Sequence, residues 1–439
     1  MYIALAILAF GIIIAIHELG HFLSAKALNV KVNEFAIGMG PKLLKKQGKE
    51  TLYTLRALPF GGFCAMEGEH EEGEEPDPRS FLSQKRWKRI VILAAGSAAN
   101  IIAALIIMLI LNAGAPGFVG TTIAETDSAL PGSEMSQLRP GDRLIELNGE
   151  RLFYNDDIAL FMQLHTQFNA NRPVALTIDR GGERIEMIVD SELLTGRSTT
   201  IAQVFDHFPQ LGPSQLQAGD RIVAINGEYP RTYNEYRRMV AENADGPITF
   251  TLDRNGETVE YQRQAVLVDG EEHFRYSIVF KPIVSFNTIS PTIFEVIKYS
   301  GYQTYSFVRM IRVSLVMMFS GTASIQDISG PVGIVSVMNT IGQQAPTTTA
   351  AIGSIVFFMA FIGVNVAVIN ILPIPAMDGG RILFVLLTWV IEKLTRKHLN
   401  PKYEGYINTG AFILLIGLMV LILYNDVMKL INGVDILGG

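Results

Sequence analysis

The chain has 439 residues, of which 49% are hydrophobic and 18% charged, and its mean hydropathy of +0.28 exceeds that of ordinary soluble proteins. Its formal net charge of −6 gives no support for a nucleic-acid partner, which normally requires a basic patch. The one cysteine, Cys64, excludes an intrachain disulfide.

Four apolar stretches are long enough to cross a bilayer, which takes about 20 residues. They are residues 1–28, 90–111, 350–372 and 406–426. Lysine and arginine are abundant in the link between the first two stretches and in the link that follows the third. Because such residues mark the cytoplasmic side of a membrane, counting the crossings predicts that both termini lie outside. The long region between the second and third spans is then also outside.

The first span contains the polar motif His17-Glu18-Leu19-Gly20-His21. Residues four apart share one face of a helix, so both imidazoles can bind one Zn²⁺ ion. A carboxylate next to the first histidine can serve as general base for water at the open metal position. On a soluble helix these residues could form an ordinary polar stripe, but in an apolar span they cost several kcal/mol unless something such as a cation holds them. The motif therefore predicts a metal-dependent hydrolase.

Residues 29–89 are predicted to form a cytoplasmic β region beside the membrane, followed by an acidic loop. Partial alternation of apolar residues over 30–37 and 50–58 indicates a small antiparallel sheet. The run Gly38-Met39-Gly40-Pro41 predicts a tight turn between strands. The acidic run 67–77 is typical of a solvated loop.

The outside region contains an internal repeat. The sequence GDRLIELNGE at 141–150 recurs as GDRIVAINGE at 219–228, and an Asp-Arg pair follows each copy, at Asp179-Arg180 and Asp253-Arg254. Alternating apolar residues, an Asn-Gly turn and a helical stretch indicate a small α+β domain in each copy.

The repeated pattern resembles PDZ domains, which bind a peptide as an added strand at a sheet edge. Two tandem PDZ domains are predicted, at 115–195 and 196–284. Spacers without any ligand are the alternative, since a fold does not fix a function. Residues 285–346, where Lys298, Arg309 and Arg312 interrupt apolar residues, are predicted to be an amphipathic tether lying in the membrane interface.

A catalytic zinc usually has three protein ligands and a water, so the two histidines leave one ligand missing. Asp378 is the candidate, because it is the only acid between Asp327 and Glu392 and it lies just past the third span, in the link 373–405. Spans one and three run in the same direction, which brings their polar groups to one depth. The alternative role for Asp378 is a helix N-cap.

Taken together, HELGH in the first span, LPIPAMDGG at 372–380 and the tandem PDZ-like copies resemble the site-2 protease family of intramembrane zinc metalloproteases, in particular its bacterial RseP type. The resemblance covers essentially the whole chain. It implies a polytopic α-helical protein of the bacterial inner membrane with periplasmic termini and PDZ domains. It also implies cleavage of transmembrane segments of pre-cleaved proteins, namely an anti-sigma factor and remnant signal peptides, in the envelope stress response.

The resemblance assigns roles to individual residues. Zn²⁺ is the implied cofactor, with His17, His21 and Asp378 as its ligands and Glu18 as the catalytic base. The implied substrate-binding residues are Asn365, Asn370, Gly38, Gly40 and Pro41. Two positions depart from the family pattern: Met39 replaces an aromatic residue, and Arg381 stands where relatives can have histidine, a change expected not to touch the chemistry.

Two other classes of protein fit parts of the sequence. A membrane scaffold could gather partners through its PDZ domains, but the complete set of His17, Glu18, His21 and Asp378 argues against a degenerate site. A metal transporter would place ligands along a path through several spans. The stretches 90–111 and 407–424 carry no acid, histidine or cysteine, which argues against transport.

Overall fold

The computed structural model describes residues 2–69, 77–126, 138–158, 160–161, 173–189, 194, 196–207, 215–230, 233–243, 246–263, 265–268, 271–274, 276–319, 330–396 and 402–431. Most of the predicted acidic loop, residues 70–76, lies outside this set. The chain divides into two compact units, which are Met1–Ala115 together with Pro291–Gly439, and Pro116–Ser290.

The described helices are α1 (Tyr2–Ala27), α2 (Arg86–Asn112), α3 (Tyr233–Glu242), α4 (Ile293–Phe319), α5 (Pro331–Gln344), α6 (Thr348–Ile371), α7 (Asp378–Thr395) and α8 (Lys402–Ile431). Among the described residues, α1, α2, α6 and the Gly405–Asp426 part of α8 are long and apolar enough to cross a membrane. The four apolar helices predicted from the sequence are therefore confirmed.

Helix α2 packs against both α1 and α6 and lies at the centre of the helical unit. The contact with α1 is close, because a methyl group placed on Gly20 would lie 2.3 Å from the carbonyl oxygen of Ala95. Glycine at this position lets the two backbones approach, as small residues do in membrane helix pairs. The approach brings the polar end of α1 against α2.

Helix α4 belongs to the helical packing. Its residues Phe307 and Ile311 are buried against Met108 of α2 and Val364 of α6. The sequence predicted only an amphipathic helix in the membrane interface, and its apolar stripe gave no indication of these partners. The tether prediction is also wrong for residues 285–289, which form a β-strand in the second unit.

The fourth apolar helix carries a buried acid, Asp426. Its carboxylate accepts hydrogen bonds from the backbone N–H groups of Gly330, at 3.2 Å, and Gly333, at 2.9 Å. These groups lie at the beginning of α5 and have no partner within that helix, so Asp426 satisfies them as a capping residue does. The acid thus joins α8 to α5.

Strands β1 (Val32–Gln47) and β2 (Leu52–Met66) form an antiparallel hairpin folded upon itself. Phe35 of β1 pairs with Cys64 and also with Tyr53, so this part of β1 has a β2 segment on each side. The predicted tight turn at Gly38–Pro41 is wrong, because these residues continue β1. Gly38 and Gly40, both with φ of 85°, instead bend the strand where its register shifts.

Among its described residues, the second unit contains two large sheets and one two-stranded sheet. Its strands are β3 (Phe118–Thr126), β4 (Arg143–Leu147), β5 (Glu150–Arg151), β6 (Val174–Arg180), β7 (Glu183–Val189), β8 (Arg197–Asp206), β9 (Arg221–Ile225), β10 (Thr249–Arg254), β11 (Glu257–Gln262), β12 (Ala265–Val268), β13 (Glu271–Phe274), β14 (Tyr276–Pro282) and β15 (Val284–Ile289). One sheet has the order β15-β3-β4-β6-β7 with β5 on β4, and the other has the order β11-β10-β9-β8-β14. Strands β12 and β13 pair separately.

The second sheet is inserted into the first. Strand β15, which pairs with β3, follows all the strands of the second sheet in the chain. The two ends of the insertion are adjacent, because the N–H of Ile283 donates to the carbonyl of Gly196 at 3.1 Å. The sequence predicted two successive domains and missed this nesting, because β15 lies outside both repeated segments.

The sequence repeat is explained by paired charges. Arg180 makes a bidentate ion pair with the fully buried Asp142 at 2.7 Å, and Arg254 does the same with Asp220. Burial raises the pKa of the Asp142 carboxyl, but hydrogen bonding to Arg180 and the backbone N–H of Arg139 outweighs burial and holds the pKa below its usual value. The motif Gly-Asp-Arg and the later Asp-Arg pair are therefore two halves of one contact.

We expect Asp142→Asn to destabilise the first sheet by about 2–3 kcal/mol at pH 7, because it removes the buried partner of Arg180. The pKa of Asp142 is lowered by folding, so this contribution is complete well above the unfolded pKa of about 4 and is lost as the pH falls through the folded pKa. Hydrogen exchange of the amides of β4 and β6 in the whole chain, at pH 7 and at lower pH, measures it.

The matched control is Asp179→Asn, which neutralises the more exposed ion pair between Asp179 and Arg143. Exposed pairs contribute about 0–1 kcal/mol, so protection of the same amides should change little. Equal loss of protection in both variants would show that the buried Asp142–Arg180 pair contributes no more stability than the exposed Asp179–Arg143 pair.

Candidate metal centre

The polar motif of α1 faces α2. His17 and His21 are each 6% exposed, and their rings meet edge to face with centroids 4.8 Å apart. A methyl group on Gly96 of α2 would lie 2.4 Å from Nε2 of His21 and 2.8 Å from Cε1 of His17. Gly96 therefore leaves the space that both imidazoles fill.

Asp378 is the first residue of α7 and follows a short loop after α6. Two glycines let this first turn fold tightly onto the loop: a methyl group on Gly379 would lie 2.2 Å from the Ile371 carbonyl oxygen, and one on Gly380 would lie 2.1 Å from that of Ile374. Ala376 has a positive φ of 71° in the same loop. The compact loop turns the Asp378 carboxylate back toward α1.

Three potential ligand atoms converge at this point. Oδ2 of Asp378 lies 3.1 Å from Nε2 of His17 and 3.2 Å from Nε2 of His21, and the two Nε2 atoms are 3.2 Å apart. Tetrahedral zinc ligands at about 2.0–2.1 Å from the ion are separated by roughly 3.3 Å. Two imidazole nitrogens and one carboxylate oxygen at these separations therefore fit a zinc site.

Hydrogen bonds around the cluster also suit a cation. Nδ1 of His21 lies 2.8 Å from the carbonyl oxygen of Ile92, so the ring can donate there and present the Nε2 lone pair to a metal. Burial would raise the pKa of the Asp378 carboxyl, but hydrogen bonds to His17 and His21 outweigh burial and hold the pKa below its usual range. The carboxylate is thus ionised, as a metal ligand must be.

The cluster opens onto a cavity of about 530 Å³. It is lined by residues of α1, β2, α2, α6, α7 and the segments just after β2 and just before α7: Ile14, His17, Glu18, His21, Phe63, Cys64, Ala65, Met66, Glu69, Leu93, Val366, Asn370, Ala376, Met377, Asp378 and Arg381. Glu18 lines the same cavity as the cluster, and Nδ2 of Asn370 lies 3.3 Å from Nε2 of His17. The cavity therefore has room for a peptide segment next to the cluster.

The structure brings together five of the residues named from the sequence: His17, Glu18, His21, Asn370 and Asp378. The other four, Asn365, Gly38, Gly40 and Pro41, are not among the lining residues. Gly38 instead packs closely on the strand beside it, where a methyl group would lie 2.4 Å from the Leu58 carbonyl oxygen.

Sequence reasoning missed three ionisable residues of the cavity wall. Glu69 was assigned to a solvated loop and Arg381 to a position away from the chemistry, yet both line the cavity. Cys64 also lines it, and burial raises the pKa of its thiol to about 12, so the thiol stays neutral. None of the three carries a local signal, because each reaches the cavity through long-range folding of β2 or α7.

Comparisons with known proteins agree with this geometry. The sequence profile of Peptidase family M50 matches residues 5–418. The chain is 30% identical over 430 residues to a protein of Clostridium acetobutylicum whose name proposes a zinc metalloprotease, with 98% of each chain covered. It is 28% identical to zinc metalloprotease RasP of Geobacillus kaustophilus, covering 96% of this chain and 97% of the relative.

A further relative is named regulator of sigma-W protease RasP, from Bacillus subtilis. It is 27% identical over 445 residues, with 97% of each chain covered. The family profile covers most of the chain and includes the whole His17, His21 and Asp378 cluster. The chain belongs to Peptidase family M50, the site-2 proteases, and is a zinc metalloprotease.

Proposed function

We propose that this protease cleaves peptide bonds within transmembrane segments of membrane proteins. The observation that carries the proposal is the placement of His17, Glu18 and His21 on α1, which is apolar enough to cross a membrane, with Asp378 of α7 brought beside them. A water-consuming reaction is then confined to a cavity between apolar helices. A peptide reaching that cavity must come from the bilayer or from its surface.

Each residue of the cluster has a defined task in this proposal. His17, His21 and Asp378 hold zinc, with Glu18 beside them in the cavity. When bound, zinc supplies the Lewis acidity that polarises a carbonyl and lowers the pKa of water. Glu18 accepts the proton of the attacking water and returns it to the leaving nitrogen.

A transmembrane substrate must be unwound before it can be cut, since a helix uses its own carbonyls in internal hydrogen bonds. Unwinding in lipid leaves each amide unpaired at a cost of several kcal/mol. The β2 segment Phe63–Met66 lines the cavity and pairs with β1 along one side. We propose that its other side binds the unwound substrate as an added strand, with Asn370 as a further hydrogen-bonding partner.

For Asn365, Gly38, Gly40 and Pro41, a substrate-binding role rests on the family resemblance alone. The substrates proposed are an anti-sigma factor and remnant signal peptides. The sigma-W name of the Bacillus subtilis relative supports a substrate that controls a sigma factor. The proposal of signal peptides rests on the family resemblance alone. We also propose a bacterial inner-membrane location with periplasmic termini and a role in the envelope stress response. The basic residues in the link between the first two spans support this orientation, because such residues mark the cytoplasmic side of a membrane.

We further propose that the two sheets of residues 116–290 are PDZ domains. Buried cores, a repeated Asp–Arg pair and an Asn-Gly turn in each copy support this. Because they join the second and third apolar helices in the chain, the proposed topology puts them on the periplasmic side. There they would act as a size filter that admits only substrates whose outer domain has been removed.

The catalytic proposal predicts different effects for two substitutions. Glu18→Gln should retain zinc and lose about 10²–10⁴-fold in cleavage of a transmembrane peptide, because it removes the general base. Asp378→Asn should bind zinc more weakly and also lose cleavage, because it removes a charged ligand. Metal content and peptide cleavage in detergent, before and after chelation and zinc return, measure both effects.

The control for this pair is Asn365→Ala, a substitution on α6 outside the cavity lining. It should keep its zinc. Native rates in both Glu18→Gln and Asp378→Asn would place the chemistry elsewhere in the chain. Absence of zinc and cleavage from the native chain would favour the scaffold function.

The size-filter proposal predicts that removing residues 197–282 increases cleavage of an intact substrate that still carries its outer domain. Joining the chain there is reasonable, because Gly196 and Ile283 are hydrogen-bonded neighbours. Cleavage of a pre-trimmed substrate should stay unchanged and serves as the control. An intact substrate that is cut no faster after this removal, or after removal of residues 121–281, would contradict the filter.

A further inference from the structure

The cavity wall contains an ion pair between two segments that are distant in the chain. Nη1 of Arg381 on α7 lies 2.5 Å from Oε1 of Glu69, which follows β2. Their side chains are only 20% and 11% exposed. Solvent screens such a partly buried pair less than a surface pair, so it constrains its two segments more strongly.

Each partner is also fixed on its own side. The guanidinium of Arg381 lies 5.3 Å from the ring centroid of Phe81, a residue with no exposed surface. The second carboxylate oxygen of Glu69 accepts the backbone N–H of Met66 at 3.3 Å. Both ends of the ion pair are therefore attached to ordered parts of the molecule.

The two attachment points matter for the reaction. Met66 ends the β2 segment that lines the cavity, and Arg381 lies one helical turn after the metal ligand Asp378. One segment is proposed to bind the substrate backbone, and the other holds part of the metal site. The ion pair is a direct side-chain link between them.

We propose that Glu69 and Arg381 form a positioning pair that sets the distance and register between a substrate strand on β2 and the metal centre. This inference rests on the proposed binding of substrate to β2. The pair neither binds zinc nor transfers a proton. It determines which peptide bond of the bound strand lies opposite Glu18 and the ligands.

The test uses Glu69→Gln, which keeps an oxygen for the Met66 N–H, and Arg381→Met, which keeps an unbranched side chain for packing on Phe81. In the full chain in detergent, each should lower kcat/KM for a transmembrane peptide by about 10–100-fold, since small misplacements cost that much. Zinc content should stay native. Because both residues act through one contact, the double variant should be no worse than the poorer single variant.

A second readout separates positioning from general loss of structure. Mass spectrometry of the products should show one main cleavage site for the native chain and cleavage at neighbouring bonds for the variants, because the strand can slip in register. Loss of fold would lower all cleavage without moving the site. The thermal unfolding midpoint of each variant checks the fold directly.

The matched controls are Arg86→Met and Glu392→Gln, which break an ion pair between α2 and the later part of α7. That pair is not among the cavity-lining residues, so rate and cleavage site should stay native. Native behaviour of the Glu69 and Arg381 variants, multiplied effects in the double variant, or loss of zinc would overturn the inference. A native chain that cuts no transmembrane peptide would instead contradict the proposed function itself.

Discussion

The structure depends on keeping charged and polar side chains inside an apolar helical bundle. Two imidazoles and three carboxylates line one cavity. His17, His21 and Asp378 lie close enough together for a cation to offset the cost of burying them. The helices adapt to this requirement. Gly96 leaves space for the imidazoles, and Gly379 and Gly380 allow the tight turn that brings Asp378 to them. The geometry of the candidate site and the packing of the helices therefore depend on the same few positions.

Local patterns named the three residues that the structure brings together at the centre of the candidate site. Histidines four residues apart must share a helix face. In an apolar span, binding a metal offsets the free-energy cost of burying these polar side chains, whereas an unpartnered polar stripe does not. Asp378 followed from topology, because parallel spans bring their ends to one depth. The four apolar helices and the metalloprotease class followed from the same sequence features, and the family match supports them.

The features that the sequence did not predict arise from contacts between distant segments. Glycines in β1 are typical of turns, yet here they bend a strand that has partners on both sides. Strand β15 shows only a weak alternation of apolar and polar residues. Its place in the first sheet becomes clear only from its pairing with β3. Glu69 belongs to a run of acids of a kind that is usually solvated, yet here it forms an ion pair with Arg381, which lies more than 300 residues later on α7. Local periodicity contains no information on contacts between segments that are distant in the chain.

The nesting of one sheet inside the other constrains the order of folding. Strand β3 is synthesised early but receives its neighbour β15 only after every strand of the inserted sheet has left the ribosome. The inserted domain can complete its own sheet first, because all of its strands are contiguous in the chain. Until then the first sheet exposes the unpaired edge of β3, to which another strand can pair wrongly. Early folding of the inserted domain brings Gly196 and Ile283 together and so delivers β15 to that edge.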